Sequence, residues 1–217
     1  MSVRTDGGMY MALKDYGDLN EYQLDALKEI GNIGSGNAAT ALSDMLERSV
    51  SINVPTIKVL DYNAAVENLG GPETILVGIL LSLKGDIQGM MMFLLNKEFA
   101  HTVLNSLLGT DFSELSSLDS MSQSAILEVG NIMAASYVNA IASLTGLKID
   151  ISVPNMCFDM AGAMMSVPAI YYANISDKII LIEDEFGHVN RDMSSHILLI
   201  PEVESLQRIM ESLGLDS

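Results

Sequence analysis

The chain is poor in the residues on which most hydrolytic active sites depend. Among 217 residues there are three histidines, one cysteine (Cys157) and no tryptophan. A single cysteine has no partner for a disulfide within the chain, which favours a reducing compartment, so we expect a cytoplasmic protein. No serine stands in a G-x-S-x-G sequence. These absences argue against a cysteine or serine nucleophile activated by histidine.

Metal-binding and nucleotide-binding motifs are also missing. The sequence has no H-E-x-x-H, no C-x-x-C and no acidic loop with EF-hand spacing. The segment "GNIGSG" that begins at Gly31 superficially resembles a nucleotide loop, but it lacks the G-K-[ST] ending and lies within a predicted helix. The sequence therefore predicts neither an intrinsic metal nor a bound cofactor.

Basic residues are scarce. Eleven lysines and arginines face 28 aspartates and glutamates, which gives a net charge of −17. Phosphate backbones and anionic lipids would repel such a surface, whereas a protein with a basic face would be attracted. The longest apolar runs, such as "ILVGILL" from Ile75, fall far short of the ~18 residues that a membrane helix needs. We therefore expect a protein partner, with no nucleic-acid binding and no membrane insertion.

One polar pattern occurs twice, as D/S-x3-E-x2-N-x22-P. Helical residues four and seven apart project from nearly the same face, so each copy would place a carboxylate beside a carboxamide. We call these two sets the first site and the second site. The first site is Asp25, Glu29, Asn32 and Pro55; the second is Ser124, Glu128, Asn131 and Pro154.

Apolar and small residues occupy the opposite face of both predicted helices. At 100 degrees per residue they fall across the helix from the polar stripe, as core positions should. They are Leu27, Ile30 and Gly34 in the first copy, and Ile126, Val129 and Met133 in the second. Each helix is thus predicted to bury one stripe and to expose its Glu and Asn.

The repeat extends beyond the motif. "LKEIGNIGSGNAATALS" from Leu27 aligns with "ILEVGNIMAASYVNAIAS" from Ile126 at an offset of 99 residues, and later segments align at 105. About six residues are therefore inserted in the second copy, most simply in a loop around 185–191. We predict a flexible leader at 1–18 and two repeats at 19–115 and 116–217, which form one compact unit about a pseudo-two-fold axis.

Each repeat is predicted to contain a helix, a strand, an antiparallel hairpin and a second helix. This order indicates an α/β (α+β) fold in which the halves share a mixed sheet flanked by long helices. Pro55 and Pro154 should lie at a strand edge or bulge, and Asp184 and Glu185 in a loop. The predicted ranges are 20–46, 50–60, 74–83, 87–95 and 97–108, then 122–144, 147–158, 178–183, 195–200 and 202–213.

The repeated pattern resembles the signature of the CheC/CheX/FliY family of bacterial and archaeal chemotaxis, phosphatases that act on the phosphorylated response regulator CheY. That signature is [D/S]-x3-E-x2-N followed by a proline just over twenty residues later, and both sites satisfy it. The resemblance covers nearly the whole chain after the leader. With two sites and this length, the chain is similar to the CheC branch of the family.

The resemblance implies how such sparse chemistry could suffice. Asn32 and Asn131 would each orient the water that attacks the aspartyl phosphate, and Glu29 and Glu128 would each pair with a receiver lysine. The CheY receiver would supply Mg²⁺.

The other residues of the motif would support this arrangement. Gly31 and Gly130, which precede the asparagines, would let the receiver approach closely, with tight helix packing as the alternative. Asp25 and Ser124 would begin the motif through local contacts on the helix surface.

Two functions remain open at this stage. The chain would be a CheY-P phosphatase, or an adaptor that binds phosphorylated CheY while mainly docking the receptor deamidase CheD. We expect a monomer in either case. Turnover of a phosphorylated receiver by a substoichiometric amount of protein would separate the two.

Overall fold

The structure, a computed structural model, describes residues 13–109, 111, 115–171, 177–188 and 191–215. Within them, helices pack on a sheet of eight strands. The helices are α1 (Glu21–Leu46), α2 (Tyr62–Asn68), α3 (Lys97–Leu108), α4 (Ser120–Thr145), α5 (Ala161–Tyr171) and α6 (Val203–Ser212). The strands are β1 (Ser51–Ile52), β2 (Thr56–Asp61), β3 (Ile75–Gly85), β4 (Gly89–Leu95), β5 (Ile149–Ile151), β6 (Asn155–Met160), β7 (Lys178–His188) and β8 (Arg191–Pro201).

Side-chain caps fix where the two long helices begin. Asn20 and Gln23 form a reciprocal capping box at the start of α1, with both hydrogen bonds at 3.0 Å. Asp119 caps α4 by accepting from the backbone N–H of Ser122 at 2.8 Å. Gly146 ends α4 in the left-handed region, with φ of 73°. The predicted long helices are confirmed, and α4 starts two residues earlier than its periodicity indicates.

The sheet interleaves the two halves. Its order is β1-β7-β8-β4-β3-β5, with β2 also paired to β7 and β6 to β3. Strands β1 and β2 of the first half thus pair with the hairpin of the second half, and β5 and β6 of the second half pair with the hairpin of the first. The predicted fold class, with halves that share one sheet, is confirmed. The sheet was predicted to be mixed, but every pairing between the described strands is antiparallel. This holds within the hairpins β3–β4 and β7–β8 and also where strands of one half pair with those of the other.

Helices α1 and α4 pack against each other over the sheet. A Cβ on Gly34 would lie 2.6 Å from the ring of Tyr137, so the missing side chain permits this crossing. All six predicted core positions on the two helices are buried. By length and composition α4 could cross a membrane, yet 56% of its apolar window is buried inside the protein, as in the core helix of a globular protein.

The prediction of a loop around Asp184 and Glu185 is wrong. Both residues lie in β7, which pairs with β8 as far as His188 and Arg191, so the extra residues of the second half lengthen a hairpin. Strand alternation directs Glu185 to solvent and Asp184 into the interior, where it is 1% exposed.

Asp184 joins the two long helices. Its carboxylate accepts hydrogen bonds from Ser35 of α1, at 2.6 Å, and from Tyr137 of α4, and the two hydroxyls also contact each other. Three contacts close a ring that is fully hydrogen-bonded only when three protons are present, which requires a neutral carboxyl. Burial raises the pKa of Asp184 to about 6, although the two donated hydrogen bonds oppose this shift.

Both proline-containing strands are interrupted. The predicted strand at 50–60 is split into β1 and β2 around Pro55, and the strand at 147–158 is split into β5 and β6 before Asn155. Proline has no N–H for the ladder, so the predicted edge or bulge position is confirmed for both. Two helices were missed: α2, predicted as a connection, and α5, which contains Pro168 and has little amphipathic periodicity.

Part of the predicted leader packs on the body of the protein. Tyr16 is buried, and its hydroxyl donates to the carbonyl oxygen of Pro201. Residues 1–12 lie outside the described residues, so the flexible leader remains a prediction there.

Candidate functional site

The first site lies on the exposed face of α1. Asp25, Glu29 and Asn32 are all exposed, as their helical spacing predicts. Asp25 pairs with Lys28 at 2.7 Å, an ion pair between two largely exposed side chains. The carboxylate of Glu29 and the carboxamide of Asn32 thus face solvent from one stripe of the helix.

The second site is a groove. Ser124, Glu128 and Asn131 of α4 line it on one side and Pro154 on the other, so all four residues of the second motif meet in a volume of about 470 Å³. Leu127, Ile151, Ser152 and Val153 complete the lining. Asn131 and Pro154 are 23 positions apart in the sequence, and the turn between α4 and the sheet brings them together.

Hydrogen bonds hold the proline segments against the sheet. In the second site, Ser152 N donates to the carbonyl oxygen of Ser82 at 3.0 Å, and Ser152 Oγ accepts from Ser82 N at 2.9 Å. In the first site, Asn53 N donates to the carbonyl oxygen of Glu185 at 3.1 Å. In the second site this segment forms the wall of the groove opposite α4.

The glycines before the asparagines do not face a partner, contrary to prediction. Both are buried: a Cβ on Gly31 would lie 2.8 Å from Ile57, and one on Gly130 would lie 2.6 Å from Ile79. The missing side chains let each helix approach the sheet. Helical periodicity alone did not decide this, because Gly31 and Asn32 differ by only 100 degrees in direction.

Neither serine hydroxyl in the groove is activated as a nucleophile. Ser124 Oγ donates to the carbonyl oxygen of Ser120 at 2.8 Å, and Ser152 Oγ donates to that of Val153 at 3.1 Å. A nucleophilic hydroxyl would instead contact a general base. What the groove offers is a carboxamide, which can both accept and donate, and a carboxylate that can bind a cation.

The electrostatics of α4 single out one residue. Glu128 is the only charged residue in the 26 residues of the helix, whereas α1 carries Glu21, Asp25, Lys28 and Glu29 within its first three turns. Because no other charged residue accompanies Glu128 on α4, its carboxylate is not part of a generally charged, solvent-facing helix surface.

Metal ligands do not cluster in the part of the chain that the structure describes. No group of three or more His, Cys, Asp or Glu side chains there could hold a metal ion. Whether Mg²⁺ comes from a partner therefore stays a prediction.

The most exposed apolar residues near the sites were missed by the motif analysis. Val54 and Val153 directly precede the two prolines and are 82% and 83% exposed. Tyr22 and Met121, seven residues before Glu29 and Glu128, are 76% and 65% exposed. The offset of 99 residues, applied to apolar as well as polar positions, could have found both pairs.

Comparison with known proteins agrees with this geometry. The model of the CheC-like family matches residues 23–59 and 121–156, ranges that contain every residue of the two motifs. The CheY-P phosphatase CheC of Bacillus subtilis is 31% identical over 203 residues, which cover 92% of this chain and 97% of that protein. The chain belongs to the CheC-like family.

Other relatives extend this assignment. The flagellar motor switch phosphatase FliY of B. subtilis is 30% identical to this CheC-like chain over 140 residues, 64% of this chain and 36% of that protein. The crystal structure of Thermotoga maritima FliY matches with a TM-score of 0.72 at 21% identity, over 92% of this chain and all of that one. A FliG–FliM complex from Helicobacter pylori matches with a TM-score of 0.67 at 13% identity, over 89% of this chain and 100% of that one. These structures share the fold of the CheC-like chain.

Proposed function

We propose that this chain is a phosphatase of phosphorylated CheY, with one active site on α1 and another on α4. The observation that carries the proposal is the groove in which Glu128 and Asn131 meet Pro154. A relative named CheY-P phosphatase CheC supports the substrate, and a relative named flagellar motor switch phosphatase FliY supports the class of reaction. The groove offers an amide and a carboxylate but no activated nucleophile, which suits a reaction whose nucleophile is water.

In the proposed reaction, water attacks the phosphorus of the aspartyl phosphate in line with the bond to the aspartate oxygen. That bond breaks, the aspartate carboxylate leaves, and inorganic phosphate is released. The carbonyl oxygen of Asn131 or Asn32 accepts a hydrogen bond from the water, and the NH₂ group contacts the phosphoryl oxygens. Glu128 or Glu29 pairs with a receiver lysine and holds the amide in position.

Mg²⁺ belongs to the receiver in this proposal, because the described residues of this chain offer it no cluster of ligands. The isolated protein should contain no stoichiometric divalent metal and should not hydrolyse a small phosphate ester. Chelation should nevertheless stop dephosphorylation of CheY-P, since it strips the substrate. A tightly bound metal, with ester hydrolysis that follows its occupancy, would instead indicate a metallophosphatase.

The deciding experiment follows phosphate release from radiolabelled CheY-P at a tenth of an equivalent of this protein, with or without CheD. Multiple turnovers support the phosphatase. Protection of one receiver per site without release would indicate the adaptor, which binds CheY-P and mainly regulates CheD. A rate that rises when CheD is added would show that docking CheD and hydrolysis are parts of one function.

A further inference from the structure

Four exposed apolar side chains form two pairs that the internal repeat relates. Tyr22 and Val54 belong to the first half, and Met121 and Val153 follow them by 99 positions, the interval that also separates Glu29 from Glu128. All four are at least 65% exposed. Isolated exposed apolar residues are common on proteins and need no explanation. The recurrence of this pair at the same two positions of both halves does need one.

One member of each pair directly precedes the proline of a site, and the other lies on the helix that carries its Glu and Asn. Val153 lines the groove together with Glu128 and Asn131. Val54 directly precedes Pro55, whose Cγ lies 3.7 Å from the Cβ position of Gly31, the residue before Asn32. Tyr22 and Met121 stand two helical turns before Glu29 and Glu128, on the same face of their helices.

We propose that Tyr22 with Val54, and Met121 with Val153, form an apolar rim around each site that a receiver domain covers when it docks. This inference rests on the proposed function and adds the determinant of protein specificity. The groove is open to solvent and Val153 lines it together with Asn131, so a phosphorylated side chain that reaches the amide enters the groove that Val153 borders. The protein that carries this side chain therefore buries the rim, whereas a small acyl phosphate leaves it exposed.

Charge argues for a receiver rather than a second copy of this chain. Two copies would each bring a net charge of −17 to the contact and repel one another. The rim also encloses a carboxylate in each site, which favours a partner that presents a cation at the centre of the contact.

The test uses proteins with one active site. Asn32→Ala leaves the second site, in which Val153→Ser removes part of the rim; Asn131→Ala leaves the first, in which Val54→Ser does so. The matched control is Ile170→Ser on α5, an apolar residue that is 77% exposed and lies outside both sites. The readouts are kcat and KM on CheY-P, the Kd for a beryllofluoride-activated CheY receiver, and the molecular mass in solution.

We expect each Val→Ser variant to raise KM and Kd roughly tenfold while kcat stays unchanged, because burial of one valine contributes about that factor. Ile170→Ser should leave all three constants unchanged. Unchanged KM and Kd in both Val→Ser variants would overturn the rim, as would a shift from dimer to monomer without a change in Kd. If the parents bind the activated receiver through the rim but release no phosphate, the rim stands and the phosphatase proposal fails. If they do not bind it, both fail.

Discussion

The two sites carry the same motif in different surroundings. On α1, Glu29 stands among other charges, and Asp25 is paired with Lys28. On α4, Glu128 is the only charge, and Ser124 turns back to its own helix. Asn32 is exposed, whereas Asn131 is partly buried in its groove. The comparison teaches that both halves of the repeat keep the Glu and Asn while the surroundings of this pair differ, so the proposed sites need not contribute equally.

The largest expected effect comes from removing both asparagines. Asn32→Ala and Asn131→Ala should each lower turnover of CheY-P in part, and the double variant should lose it almost completely, since each amide orients its own water. A larger loss for Asn131→Ala would show that the groove makes the second site the stronger one. Steady-state phosphate release measures this.

Exposed asparagines on the same helices provide the control for this comparison. Asn37→Ala on α1 and Asn139→Ala on α4 should keep full activity, and circular dichroism should show all variants folded. Substantial activity in a folded double variant would rule out the inserted-amide mechanism.

The next effect concerns Asp184, which ties α1 to α4. A raised pKa in the folded state means that between about pH 4 and pH 6 the folded protein binds more protons than the unfolded chain. The ionisation of Asp184 therefore lowers the free energy of unfolding as pH rises through this window, by on the order of 3 kcal/mol. Asp184→Asn cannot titrate, so its stability relative to the parent should rise by that amount between pH 4 and pH 7.

Urea unfolding at several pH values measures the difference. Glu185→Gln serves as the control, because Glu185 is the exposed neighbour in the same strand and should leave the pH dependence nearly unchanged. A constant difference between parent and Asp184→Asn at all pH values would mean that folding does not raise the pKa of Asp184.

Substitution of Gly31 or Gly130 should change the free energy of unfolding by different amounts in the two copies, and by less than the Asp184 substitution. In Gly130→Ala the new Cβ meets both Cδ1 and Cγ2 of Ile79, at 2.6 and 2.8 Å, and Cγ2 cannot move without the backbone. We expect a loss of about 1–2 kcal/mol, since overpacking exceeds the gain in helix propensity. Gly31→Ala meets only the flexible end of Ile57 at such a distance and should change stability by about 0.5 kcal/mol or less.

Urea unfolding and receiver affinity together test this interpretation. Affinity should be unchanged in both variants, since neither glycine faces a partner. A loss of affinity in a stable Gly31→Ala protein would restore the idea that the receiver approaches there.

The smallest effect is expected from the glutamates. In the single-site proteins, Glu128→Gln should weaken binding of the activated receiver by about 1 kcal/mol, with less loss at higher salt. Glu29→Gln should have a smaller effect, because other acidic residues remain near it on α1. Calorimetry at two salt concentrations measures both, and equal affinities for parent and variants would remove the glutamates from docking.

Local patterns were sufficient to predict much of this molecule. Periodicity gave the long helices and their buried stripes, since Leu27, Ile30 and their counterparts follow a helical repeat that packing preserves. The predicted range 97–108 coincides with the bounds of α3. Patterns failed where interactions distant in sequence decide: α5, whose periodicity is weak, and Asp184, whose partners Ser35 and Tyr137 are distant in the chain.

By itself, the sequence determined which residues form the two motifs and that the motifs are related, because a duplication leaves its record in spacing. It also placed the Glu and Asn of each site on one helical face, because helix geometry is local. Only the tertiary structure decided that the halves exchange strands, that Gly31 and Gly130 face the sheet, and that Val153 lines a groove with Asn131. These features depend on which surfaces meet after folding, and contact between distant segments is not encoded in the spacing of either one.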